Sequence, residues 1–161
     1  MRKLDDDLIE FCEEIKEEYK ILNSEEEEFI KKIIKNKYVK QNAKTSFSFF
    51  NMLDYSQMSG VNLPDSWKWI KDFINNKKVI VFFNEGMGKK YIKLYNGGIF
   101  VDFYDESPLV EFYITDCNGS FLLGYNHSQC LFAFETAGIW LENDIRYKEY
   151  QIKKKLNKQK K

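Results

Sequence analysis

The chain has 161 residues, 43% apolar and 17% aromatic, with 25 basic and 25 acidic side chains and therefore no net charge. That length suits one domain with a sizeable core, and the neutral balance excludes a global field that would drive the chain to nucleic acid or membrane. No apolar run approaches the roughly 18 residues that span a bilayer, and three cysteines without CxxC or Cys/His spacing point to buried thiols in a reducing cytosol.

The start of the chain shows no apolar signal-peptide core, which fits a cytoplasmic protein. Its charge is unevenly laid out. Residues 1–37 hold twelve acids against eight bases, 84–144 nine against three, and 146–161 one acid against eight bases.

Taken in order, Asp5, Asp6 and Asp7 offer an N-cap for a first helix. Its apolar stripe is Leu8, Phe11, Cys12, Ile15, Tyr19 and Leu22. Ser24 to Glu27 reads as a capping box that opens a second helix, with Phe29, Ile30, Ile33 and Ile34 inward and lysines near its end. From Tyr38 to Leu63 the periodicity weakens, and Phe47, Phe49, Phe50, Leu53 and Tyr55 suggest an irregular helix or an aromatic flap. Pro64-Asp65-Ser66 opens a third helix with Trp67, Ile70, Phe73 and Ile74 on one side.

The informative stretch follows. VIVFFN (79–84), YIKLYN (91–96), IFVDFY (99–104), VEFYIT (110–115) and SFLLGYN (120–126) have strand length, and short Gly/Asn/Asp turns separate them. Such spacing predicts consecutive hairpins. Cys130 to Phe134 reads as a sixth strand or a short helix, Ile139-Trp140-Leu141 as a docking segment. Beyond Asp144 a helix runs through Tyr147, Tyr150 and Ile152 and frays into a lysine tail, Lys153 to Lys155 and Lys158 to Lys161. The expected architecture is α+β: N-terminal helices on a five- to six-stranded antiparallel meander, with residues 1–150 as one domain and 151–161 a basic, disordered tail.

Within the strands, alternation sets Ile92, Leu94, Ile99, Val101, Phe103, Phe112 and Ile114 on one face. The other collects tyrosines among carboxylates: Tyr91, Tyr95, Asp102, Tyr104, Glu111 and Tyr113, with Asp105 and Asp116 in the adjoining turns. Tyrosines make interface hot spots and carboxylates steer a basic partner. These eight residues are the expected partner-binding set.

Motifs for chemistry are sparse. Gly86-Met87-Gly88-Lys89-Lys90 lacks the spacing of a phosphate loop and precedes a strand, so it reads as a hairpin turn. The single histidine, His127, reads as a capping residue on a loop carbonyl. An orphan hydrolase built on it, or a small-ligand or RNA-binding module, stand as alternatives. No catalytic residue, metal ligand or cofactor is expected, nor a membrane or nucleic-acid partner.

Glu111-Phe112-Tyr113-Ile114-Thr115-Asp116, followed by Phe121 to His127, resembles a group of small bacterial cytosolic proteins encoded beside secreted polymorphic toxins. The similarity spans roughly residues 66–138. Members of that group are taken to be immunity proteins. The resemblance implies a non-enzymatic protein that binds a cognate toxin domain, a basic one on the reading above, and neutralises it by occlusion.

Overall fold

The computed structural model of the protein describes residues 3–106 and 110–159. Its strands are β1 (Tyr19–Ile21), β2 (Ser59–Asn62), β3 (Val79–Phe82), β4 (Ile92–Leu94), β5 (Phe112–Thr115), β6 (Phe121–Tyr125) and β7 (Cys130–Glu135). They form one seven-stranded sheet in the order β1-β4-β3-β5-β6-β7-β2, antiparallel throughout. The helices are α1 (Leu4–Glu14), α2 (Ser24–Tyr38), α3 (Lys71–Ile74), α4 (Ile99–Asp105), α5 (Thr136–Asn143) and α6 (Ile145–Gln159). The fold is α+β, as the sequence indicates. Two short edge strands, β1 and β2, carry the count past the expected six, and the sheet is not a continuous meander because β3 pairs with both β4 and β5.

Helices cover both faces of the sheet. On one, Val79, Val81, Ile92, Leu94, Phe112 and Ile114 meet α1, the turn Ser66–Ile70, α3, α4 and α5. On the other, Ile80, Phe82, Tyr113, Leu122, Phe132 and Phe134 meet Ile30, Ile34 and Tyr38 of α2, with Leu53, Phe49 and Phe50 beside them. The period-2 alternation read from β4 and β5 therefore holds, but the tyrosine side is covered by helix rather than open to solvent. The aromatic flap is real: it consists of 3-10 turns at Phe49–Met52 and Tyr55–Gln57.

The main departure is α4. The strand length, alternation and flanking turn residues of 99–104 predict a strand, yet these residues form a helix. Ile99, Phe100, Val101, Phe103 and Tyr104 are all buried, packed among α1, Trp67 and β5, while Asp102, Asp105 and Glu106 face out at helical spacing. Tertiary burial overrides weak local propensity. Gly97 permits the approach, since a Cβ there would meet the Ile74 carbonyl at 2.9 Å. The expected turn Asp105 to Pro108 falls partly on 107–109, outside the described residues.

Smaller corrections have local causes. α2 is capped by Asn23, not Ser24, with Asn23 and Glu26 forming the reciprocal box. α1 ends at Glu14 because Lys16 takes φ 60°, which frees 19–21 to join the sheet edge. Residues 151–159, expected disordered, continue α6, a lysine-rich run without Gly or Pro that helical propensity favours. Lys160 and Lys161 lie outside the described residues.

Asp5 does not cap α1. It is buried, and its Oδ2 accepts from the backbone amides of Lys89 and Lys90, both at 2.9 Å, holding the β3–β4 connection against the helix. Asp5→Ala strands those donors and is expected to cost about 1–3 kcal/mol in urea denaturation. A loss no larger than that of an exposed substitution, about 0.5 kcal/mol, would contradict this role.

Of the three cysteines, Cys12 and Cys130 are buried and Cys117 is exposed, so the expectation of buried thiols holds for two. Burial pushes the Cys12 thiol up to about 11, helped by Glu17 and Glu13, and burial also raises Cys130. A thiol reagent should therefore modify one group quickly in the native protein and the other two only on unfolding. Three fast groups would refute the packing of α1.

Candidate functional site

The expected partner-binding residues do not share a surface. Tyr91 is half-buried, stacked on Phe82 at 4.7 Å with the Lys31 ammonium above its ring. Tyr95 sits past β4 beside Lys93. Asp102 is exposed on α4 and pairs with Lys71 at 3.0 Å, and Asp105 ends the same helix. Tyr104 is buried and donates to the Val110 carbonyl at 2.7 Å. Asp116 organises the β5–β6 turn, accepting from the amides of Asn118 and Ser120 and from the Ser120 hydroxyl. Glu111 and Tyr113 are buried outright. Two causes scatter the set: α4 is a helix, and α2 with the flap covers the tyrosine face.

Glu111 and Tyr113 instead belong to a buried polar network at one end of the sheet. Glu111, 6% exposed, accepts four hydrogen bonds. Ser48 Oγ at 2.5 Å and Asn84 Nδ2 at 2.7 Å reach Oε1, while the His127 Nδ1 at 2.8 Å and backbone amide at 3.3 Å reach Oε2. Asn84 Oδ1 accepts in turn from the Tyr113 hydroxyl at 2.8 Å and the Phe49 amide at 2.9 Å, and the Phe50 amide donates to the Tyr113 oxygen at 3.0 Å. Burial pushes the Glu111 carboxyl up, but the bonds from Ser48, Asn84 and His127 outweigh it and hold the group below the usual carboxylate range. Burial and the Glu111 charge raise Tyr113, which stays a neutral hydroxyl.

Local structure delivers each member. Asn84 follows β3, Glu111 precedes β5, and the register that sets Phe112 opposite Tyr125 brings Glu111 beside His127. Buried Asn126 shapes the β6–β7 turn, its Oδ1 accepting from the amides of Ser128 and Cys130. Ser48 comes from the flap. Because an ionised carboxylate only accepts, His127 must donate from Nδ1. Its Nε2 is left to a ring 66% exposed. His127 thus hydrogen-bonds a carboxylate, not the expected loop carbonyl.

Around this network the surface is partly apolar. Phe47 is 79% exposed and lies over Gly86, and Tyr55 is exposed while stacked on Phe50 at 5.1 Å. An open groove of about 460 Å³ runs between Phe47, Phe49, Asn84, Glu85, Lys89 and Tyr91. A wider one, about 1000 Å³, lies between α2 and the flap and is edged by Lys31, Lys35, Lys37 and Lys40. Two of those lysines are committed elsewhere: Lys31 pairs with Glu27, and Lys37 donates to the Gly119 carbonyl.

Alternation puts Glu111 and Tyr113 on an exposed face, whereas both are buried, and neither Ser48 nor Asn84 stands out in the sequence, where Phe47 enters only as part of the flap. Asn84 ends an apolar strand run, where a buried amide is a usable signal. Ser48 and Phe47 left none, since their partners are 63 and 39 residues away along the chain. Among the described residues no helix is long and apolar enough to cross a membrane, and no group of three metal-binding side chains converges. No protein-family model, curated protein or solved structure matches the chain.

Proposed function

We propose that the protein is a binding protein that neutralises a cognate bacterial toxin by occlusion, and that the contact surface is the rim built on Glu111. The observation that carries this reading is the saturation of that carboxylate. All of its four bonds tie protein to protein, joining the flap, the end of β3, the start of β5 and the β6–β7 turn. A fully satisfied buried network rigidifies what it joins, and rigid presentation lowers the ordering cost of association. What it presents is an exposed Phe47 over Gly86 and an exposed Tyr55 stacked on Phe50, aromatic anchors of the kind that dominate interfaces. The resemblance of residues 111–127 to immunity proteins points the same way.

The hydrolase reading has one specific observation behind it, the carboxylate-oriented His127 with Nε2 free. The two readings separate cleanly. On the binding reading, Phe47→Ala lowers affinity for the cognate toxin domain by about thirtyfold, roughly 2 kcal/mol. His127→Ala then changes protection of co-expressing cells only a few-fold. Loss of protection in a folded His127→Ala variant, with Phe47→Ala unaffected, would favour the hydrolase.

A further inference from the structure

Helix α6 keeps its aliphatic side to solvent. Tyr147 and Tyr150 dock it on the core, Tyr150 reaching the Asn62 amide, and Arg146 clamps its start to Asp144 and Asp72 at 2.7 Å. With about 100° per residue, Ile145, Ile152 and Leu156 fall within about 40° of one another on the opposite side. They are 66%, 59% and 51% exposed. Lys148 and Lys155 flank this seam on one side, and Glu149 and Lys153 on the other, so bases outnumber acids along it three to one. So narrow a stripe is the seam of a helix that packs on another helix, whereas a helix lying in a lipid surface needs a broad apolar face.

The complementary surface is on the same chain. The end of α1, the turn after it and edge strand β1 expose Ile15 and Ile21 along a stretch that also holds Glu13, Glu14 and Glu18, with Lys16 as a neighbouring base and Lys20 paired with Glu26 at 2.9 Å. Both α1 and α6 pack on the same face of the sheet. They lie toward opposite edges, α1 leading into edge strand β1 and α6 bonded to edge strand β2. A twofold axis running parallel to the strands, between two copies stacked on that face, sets α1 of each over α6 of the other. The contact is then isologous and closed, with lysines against glutamates at both ends.

We infer that the protein associates with a second copy of itself, the outward Ile152/Leu156 seam and lysines of α6 docking on the acidic Ile15/Ile21 surface formed by the end of α1 and β1. This goes beyond toxin binding and uses residues other than Phe47 and Tyr55. Sedimentation equilibrium of the full chain tests it. Wild type should form a dimer with a Kd on the order of micromolar to tens of micromolar, as for a modest interface. Lys153→Glu with Lys155→Glu, or Glu14→Lys with Glu18→Lys, should each raise Kd by about thirtyfold or more, because symmetry counts every like-charge contact twice. An equimolar mixture of the two variants should recover the dimer. Should the α1 variant unfold, Ile152→Ser with Leu156→Ser reads the same contact from α6 alone and should be monomeric. Wild type that stays monomeric near 1 mM, well above such a Kd, overturns the inference. So does a folded variant that dimerises as wild type does, or a mixture of folded variants that remains monomeric.

Discussion

Glu111→Ala is expected to lower the free energy of unfolding by about 3–5 kcal/mol, mainly through the buried donors it strands. The substitution leaves Ser48 Oγ, Asn84 Nδ2 and His127 Nδ1 without their acceptor, and each stranded buried donor costs about 1–3 kcal/mol. Exposed His127 can turn to water, which keeps the total below the sum of three such penalties. Glu111→Gln should fall between, since one carboxylate oxygen becomes an amide that faces donors. The sign with pH is fixed by geometry. Burial alone would raise the carboxyl, but its hydrogen bonds leave it below its ordinary 4.5 in the folded state. Its contribution is therefore complete above the ordinary carboxylate range and is lost as pH falls through the folded value. The gap in urea midpoint between wild type and Glu111→Gln should be constant near neutral pH and shrink as pH is lowered below the ordinary carboxylate value of 4.5. A Glu111→Ala protein within about 1 kcal/mol of wild type at pH 7 would remove the physical basis for the rim.

How much of this was legible follows the range of the interactions. α1, α2 and the helical segment after Ser66 announce themselves by periodicity, because Leu8 and Cys12, Ile30 and Ile34, or Trp67 and Ile70 carry their own 3.6-residue signal. Strands β3, β4, β5 and β6 are visible as runs between turn residues, whereas the run that forms β7 fits a short helix almost as well. Strand β1 was absorbed into the apolar stripe of helix one, because the stop at Lys16 depends on a left-handed backbone that no Gly or Asn marks. β2 is Ser-Gly-Val-Asn and has almost no pattern; it is a strand because Val61 and its neighbours pair with β7. α4 was misread since five apolar positions among its first six residues fit either period, and only the exposed trio Asp102, Asp105 and Glu106 favours the helix. The candidate site was least legible. A carboxylate in an alternating strand reads as solvent-facing, and it takes the covering flap, 63 residues upstream, to turn Glu111 into a buried acceptor.

Gly124→Ala should have the larger effect still. Gly124 lies in the middle of the sheet, paired with Tyr113 on β5 and Phe132 on β7. A Cβ there would stand 2.3 Å from the Phe112 carbonyl oxygen and 2.6 Å from the Phe132 ring. Phe132 is fully buried and the carbonyl belongs to the adjacent strand, so neither can yield without moving β5 away from β6. A glycine inside a strand often marks such an approach of another backbone. Overpacking of ordinary cores costs about 1–3 kcal/mol. Here the clash is with backbone, and a loss of about 4 kcal/mol or more is expected, which most natural domains tolerate poorly. The same displacement would draw Glu111, next to Phe112, away from His127, two residues beyond Tyr125, so the rim and the sheet should fail together. Gly86→Ala is the control. Its Cβ would meet only the Phe47 ring, at 3.2 Å, and that exposed side chain can swing clear. Thermal melts should show Gly86→Ala within about 1 kcal/mol of wild type while shifting Phe47 at the proposed contact surface. Gly124→Ala should melt far lower or fail to fold, and near-wild-type stability for it would mean that β5 and β6 are not in this register.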